Sequence, residues 1–307
     1  MTFGVELEFF LLDGAGYPAM HSTAEVIRLW QLRAYPNMPA AELGSFQIEL
    51  NPGPWPLTKR GINLALTELR QDAAHLHECA VQLGYQVCAA PVVPRVRPDQ
   101  LRDPSLLAPN ARSRATSSYF ANSRATVLFE DGEKFVFPGE TVLACLNEIH
   151  IHVQPAADAA ALRLFNEYNR RGHEPVRPYQ MPIEFNGRLL DSSCTTMRLF
   201  EEADGEWNRS GTLRRVGFVP YAIESFTEYR RAIDTFERIP CPESDPPFLE
   251  LESSVWFWTR LRGRPGSLRV EFRPMDMGAD WEDRVRLLAQ TARELAPQEE
   301  CTAEYVH

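Results

Sequence analysis

The chain has 307 residues, 44% of them hydrophobic, enough to bury a large core, and it carries a formal net charge of -10 at neutral pH. That balance argues against a nucleic-acid surface, which needs a basic field to release counterions, and against an anionic membrane surface. No run has the apolar length of a membrane span, the chain enters a strand pattern at Phe3 without a charged-then-apolar leader, and its six scattered cysteines form no C-x-x-C pair; reduced thiols in a cytoplasmic protein are the expectation.

In chain order, FGVELEFFLL (Phe3 to Leu12) reads as a strand with Phe3, Val5, Leu7, Phe9 and Leu11 on one face and Glu6 and Glu8 on the other. SFQIEL (Ser45 to Leu50) alternates likewise and stops at Asn51-Pro52-Gly53-Pro54. The spacing of Ile62, Leu66, Leu69, Ala73, Leu76, Ala80 and Leu83 predicts a helix over 58–83, stopped by Gly84, followed by a short strand over 85–90. Residues 91–118, rich in Pro, Arg and Ser, show no periodicity and read as a surface excursion near a site.

A hairpin is expected at Asp131-Gly132. NEIHIHVQ (Asn147 to Gln154) is a strand with Ile149, Ile151 and Val153 opposite His150, His152 and Gln154. A helix over 158–171, a capping box from Ser225 to Glu228 opening a helix to about Phe236, and a loop over 240–247 follow. SLRVEFR (Ser267 to Arg273) alternates again, and a last helix starts at an Asp280 cap. Strands with helices grouped between them point to an α+β domain with a largely antiparallel sheet, one domain over 1–307.

Four distant strands thus each set an apolar face against Glu6/Glu8, Glu49, His150/His152 or Glu271/Arg273. Paired into one sheet, these carboxylates would repel one another unless cations joined them, and oxygen-rich ligands with one or two imidazoles suit Mg²⁺ or Mn²⁺ on nucleotide phosphates better than zinc. Neither G-x-x-x-x-G-K-[ST] nor G-x-G-x-x-G is present, which leaves metal plus arginine as the way to hold phosphate. Each motif alone also suits the solvated side of a sheet, and Arg260, Arg262, Arg264 and Arg269 a basic solvated stretch. His75 and His77, on a charged helix, read as inert surface.

At these residues the chain resembles the glutamate–cysteine ligase group of the glutamine synthetase-like superfamily. GVELEFFLLD, ELGSFQIEL, EIHIHVQ and LRVEFRPMD resemble that superfamily's metal-binding strands, while GFVPYAIESFTEYRRAI and VWFWTRLRGRPG resemble segments of the bacterial carboxylate–amine ligases within the group. The resemblance implies a curved, funnel-like antiparallel sheet with helices on its outer face, and metal ligands at Glu6, Glu8, Glu42, Glu49, His150 and Glu271. It further implies His152 and Arg260 at the nucleotide, and Arg273 beside Glu271 at the reacting groups. The implied reaction joins a carboxylate to an amine, amino acids by expectation and glutamate as donor, at the expense of ATP with Mg²⁺ or Mn²⁺, through an acyl phosphate. A guanidino-kinase-like phosphotransferase and a non-catalytic nucleotide- or amino-acid-binding regulator remain open as alternatives. Sheet edges and aromatic content are compatible with a homo-oligomer.

Overall fold

The strand pattern at the N-terminus becomes the centre of the molecule. In the computed structural model, which describes residues 1–180, 182–191, 195–204, 209–210, 213–243 and 247–296, strand β1 (Thr2–Leu12) pairs antiparallel with strands on both sides. Strands β2 (Ala40–Ala41), β3 (Gln47–Leu50), β4 (Trp55–Pro56) and β5 (Gln86–Cys88) follow it, with helices α1 (Ser22–Leu32) and α2 (Lys59–Gln82) interspersed. Helix α3 (Ala111–Phe120) and the hairpin β6 (Arg124–Leu128) and β7 (Lys134–Pro138), turning at Gly132, precede strand β8 (Glu148–Gln154) and helix α4 (Asp158–Arg171). Helices α5 (Thr196–Asp204) and α6 (Phe226–Ile233), strands β9 (Thr259–Arg262) and β10 (Arg269–Asp276), and helix α7 (Trp281–Leu295) follow, with shorter elements between them. The main sheet runs β9-β10-β8-β1-β3-β2, with β4 and β5 pairing the two ends of β1, and every pairing in it is antiparallel.

One face of this sheet is apolar because the period of two keeps Phe3, Val5, Leu7, Phe9 and Leu11 on the same side. They pack with Ile149, Ile151 and Val153 of β8 and with Leu66, Leu69 and Leu76 of α2, Leu164 and Phe165 of α4, and Leu288 and Ala292 of α7. Helix α2 starts where Thr58 accepts the Gly61 amide at 2.9 Å, and ends before Gly84, whose φ of 81° suits only a residue without Cβ strain.

Residues 91–118 differ from the expected surface excursion. Val92, Val93, Val96, Leu101, Leu106 and Ala115 are buried in a second apolar cluster with Phe10, Phe46, Phe120 and Phe137. Single-turn 3₁₀ segments at Gln100–Arg102 and Pro104–Leu106 bury side chains without the 3.6 period that a helix would show. At the last helix, Asp280 stands at the N-cap but its side chain caps no amide; its Oδ1 accepts from Arg284 Nε at 2.6 Å. His75 is half-buried rather than inert surface, stacked on Tyr35 at 3.9 Å between ring centroids. Cys79, Cys88 and Cys145 carry no disulfide, while Cys194 and Cys301, and residues 244–246 of the expected loop, lie outside the described residues. Among the described residues no helix is long and apolar enough to cross a membrane.

Candidate active site

The register of the sheet lines up the polar side chains. Glu8 lies opposite Glu49, Glu6 opposite His150, His152 opposite Glu271, and Glu271 opposite Arg260. Residues directly opposite in an antiparallel pair project to the same side, so all of these emerge on the face away from helices α2, α4 and α7. Strand β10 shifts register between Phe272 and Met275, where Pro274 has no amide to donate. The shift reverses the alternation: Met275, which simple alternation would carry onto the charged face, packs in the core, and Asp276 comes opposite Glu148.

Two groups of donors result. One oxygen from each of Glu8, Glu42 and Glu49 lies within 4.8 Å of the others, and the same holds for donor atoms of Glu6, His152 and Glu271. His150 belongs to neither group; its Nδ1 lies 2.7 Å from Glu6 Oε2 and its Nε2 3.3 Å from Glu148 Oε2. A cavity of about 280 Å³ opens over the row, lined by Glu6, Glu8, Glu42, Glu49, Glu148, His150 and Glu271 together with Arg260, Arg262, Arg273 and Arg112. His152 faces a second cavity of about 260 Å³, which meets the first at Glu6 and is walled by Gly4, Asn51–Pro54 and Arg269.

Charge is segregated along the row. Burial lowers Arg260 to about 10, and its Nε donates to Glu271 at 3.1 Å while Nη2 holds the other Glu271 oxygen and Nη1 the Val255 carbonyl. Arg273 donates from Nη1 to Glu271 at 2.8 Å, has Nη2 3.6 Å from Glu148, and keeps a buried Nε without a hydrogen-bond partner among the described residues. Burial would raise Glu271, but Arg260 and Arg273 outweigh it and hold that carboxyl well below the ordinary range. Burial likewise opposes Glu6, yet His152 and His150 hold it low. Burial and Arg273 both disfavour a charged His150, but Glu148, Glu6 and Glu8 bring it up to about 10.

Glu8 and Glu49 lack that compensation. Burial pushes Glu8 up to about 8, with Glu42 and Glu148 adding repulsion against the opposing pull of His150; Glu49 is raised by burial and by Glu6 and Glu42. The cation nearest Glu42 is Arg112, 4.0 Å away and half exposed.

These residues fit a divalent cation. Three clustered carboxylates whose cations, Arg112 for Glu42 and His150 for Glu8, stand no closer than 3.9 Å, and a buried imidazole in His152 with Nε2 2.7 Å from Glu6 Oε1, are the donors a hard cation with oxygen and nitrogen ligands would satisfy. Of the two groups, Glu8, Glu42 and Glu49 have the stronger need, since Glu271 is already neutralised by arginines. Glu8 has its folded value raised above 4.5, so its favourable contribution is complete below that pH and lost as pH rises through about 8. A cation must displace protons there, so Mg²⁺ is expected to raise the melting temperature clearly at about pH 8 and little at about pH 5. Equal shifts at both pH values in thermal unfolding would remove the cation from this site.

All nine residues singled out from the sequence, Glu6, Glu8, Glu42, Glu49, His150, His152, Arg260, Glu271 and Arg273, line these two adjoining cavities. Two further residues join them. Glu148 shares the alternation of EIHIH and was accessible by the same count; Arg112 sits on α3, whose sequence has no apolar stripe to announce it.

The profile of the glutamate-cysteine ligase family 2 (GCS2) matches residues 2–170, more than half of the chain, including every site residue from Glu6 to His152. Among solved structures, a bifunctional glutathione synthetase from Pasteurella multocida is similar in fold, with a TM-score of 0.51 at 15% identity; the match covers 97% of this chain and 39% of that one. The chain therefore spans well under half the length of that protein. No curated protein matches. On the extent of the profile match, the chain belongs to glutamate-cysteine ligase family 2.

Proposed function

We propose that the protein is an ATP- and divalent-cation-dependent ligase joining a carboxylate to an amine, of the γ-glutamyl type, built as one glutamine synthetase-like funnel domain. The observation that carries this reading is the segregation of charge over one cavity: Glu8, Glu42 and Glu49 clustered at one end, Arg260 and Arg273 at the other. Family membership supports it. Mg²⁺ or Mn²⁺ would be held by Glu8, Glu42 and Glu49 and by Glu6, His152 and Glu271, with His150 orienting Glu6. When bound, such ions neutralise phosphate oxygens of ATP.

The chain's own side chains do the rest. Arg273, which lines the cavity with Nη1 on Glu271 and Nη2 3.6 Å from Glu148, is placed to turn its guanidinium to the transferring phosphoryl group or the substrate carboxylate. Arg260 already donates from Nε, Nη1 and Nη2 within the protein, which suits it to holding Glu271 and Arg273 in place as much as to touching nucleotide. A substrate carboxylate oxygen attacks the γ-phosphorus and ADP leaves; the amine nitrogen then attacks the acyl carbon, phosphate leaves, and the amide remains. The apolar cluster on the site side, with Leu143, Leu146, Phe200 and Trp256 reaching the cavity wall, limits water that would hydrolyse the acyl phosphate. The substrates are small molecules, amino acids on this reading, and a homo-oligomer is compatible with it.

Trapping tests the intermediate. With ATP, Mg²⁺ and the correct carboxylate, hydroxylamine is expected to accumulate as a hydroxamate, because it is small and strongly nucleophilic. A phosphorylated amine or guanidine with no hydroxamate would favour the phosphotransferase, and neither product alongside tight nucleotide binding would favour the regulator.

A further inference from the structure

Of the three carboxylates clustered at the acidic end of the row, two are fixed by the sheet itself: Glu8 on β1 and Glu49 on β3 stand opposite one another in register. Glu42 has no such frame. It follows β2 and sits in the turn that leads into β3, outside both strands. A ligand on a turn keeps its geometry only where something else holds that turn.

Gln47 is built to hold it. The residue is 2% exposed, shares a face of β3 with Glu49 and lines the same cavity. Its Oε1 accepts the Gly44 amide at 2.7 Å, and its Nε2 donates to the Leu146 carbonyl at 2.6 Å. Main-chain bonds close the same turn, from the Gln47 amide to the Gly44 carbonyl at 3.1 Å and from the Glu42 amide to the Gln47 carbonyl at 3.5 Å. Leu146 stands just ahead of β8, which flanks β1 on the side away from β3, so one buried amide joins the turn of Glu42 to the strand that carries Glu148 and His150. Gly44 makes room for it: a Cβ there would lie 2.9 Å from Gln47 Oε1 and 3.1 Å from the Ala144 carbonyl oxygen. The two bonds need an acceptor and a donor on one side chain, which an amide supplies and an ionised carboxylate or a hydrocarbon does not.

We infer that Gln47 is a positioning residue, which sets Glu42 against the Glu8 and Glu49 pair and so completes the cation site at that end of the cavity. This role rests on the cation reading of the same site. Gln47 acts through Glu42 and not as a ligand, because both ends of its amide are engaged by main-chain groups. Partners of this kind behind a metal ligand are worth about ten- to a hundredfold in affinity.

Titration of the full chain with Mn²⁺ in the absence of nucleotide, followed by the electron spin resonance of the free ion, tests it in a double-mutant cycle. Wild type is expected to bind saturably, and Glu42→Gln to weaken one class of site. Gln47→Met, which keeps the length of the side chain and removes both hydrogen bonds, should weaken that class by about ten- to a hundredfold. Placed on Glu42→Gln, the same change should cost less than about twofold, since the ligand that it positions has already lost its charge. A Gln47 that served stability alone would weaken binding by one factor in both backgrounds. Should Gln47→Met fail to fold, Gly44→Ala takes its place in the cycle, its Cβ displacing the amide. An affinity that the substitution leaves intact, or an equal loss with and without Glu42→Gln, would overturn the positioning role while the cation site stands. No Mn²⁺ binding to wild type, or none that Glu42→Gln alters, would overturn the cation site and the positioning role together.

Discussion

Glu8→Gln is expected to give a folded protein that turns over at no more than about a hundredth of the wild-type rate, since even partners behind a metal ligand cost ten- to a hundredfold. The substitution keeps shape and keeps an oxygen able to accept the Glu148 amide, now 2.8 Å from Glu8 Oε2. It removes one charge from the Glu8, Glu42 and Glu49 group. Because the wild-type acid is held against burial and repulsion, the metal-free variant should melt no lower than wild type and should lose most of the Mg²⁺-induced stabilisation. ATP consumption across a Mg²⁺ titration, beside thermal unfolding, checks both. Wild-type turnover in the variant, or full activity of wild type in excess chelator, would take the carboxylate group out of the chemistry.

Arg273→Lys carries the second large effect. Two roles compete for this residue: neutralising Glu271 and Glu148, or clamping an oxygen pair on a substrate. Lysine retains the charge and can still reach Glu271, so a neutralising role should survive it nearly intact. A bidentate contact made mainly in the transition state cannot survive, because an ammonium is a point donor. The expected loss in kcat is roughly ten- to a thousandfold, about 1.4 to 4 kcal/mol. The looser hold on Arg273, whose Nη2 stands 3.6 Å from Glu148, favours the clamp, whereas Arg260 donates from all three nitrogens within the protein. A folded Arg273→Lys within about twofold of wild type in kcat and kcat/KM would assign Arg273 to neutralisation only.

The central strands were legible in the sequence for a simple physical reason. A strand buried on one face must alternate with a period of two, so FGVELEFFLL and EIHIHVQ disclose both the core side and the polar side. Pairing partners were not legible: that Glu8 meets Glu49, or His152 meets Glu271, depends on register between segments far apart in the chain. At Pro274 alternation itself misleads, since the register shift there exchanges the sides of Met275 and Asp276. Helix α1 went unannounced because its N-cap is His21, in a left-handed conformation and making no side-chain cap. Helix α3, ARSRATSSYF, is held by a few buried small residues and Phe120, too little for an apolar stripe. Arg112 was hidden with it.

The ligase reading is tested most directly by following oxygen. Amino-acid carboxylates and amines are screened in pairs with ATP and Mg²⁺ for ADP release, and the pair that turns over is repeated with ¹⁸O in the donor carboxylate. Attack of that carboxylate on the γ-phosphorus transfers its oxygen to phosphate when the amine displaces it, so the expected result is one labelled oxygen in each phosphate released, with ADP, phosphate and amide formed in equal amounts. Unlabelled phosphate, a phosphorylated amine in its place, or no ADP release from any pair would contradict it.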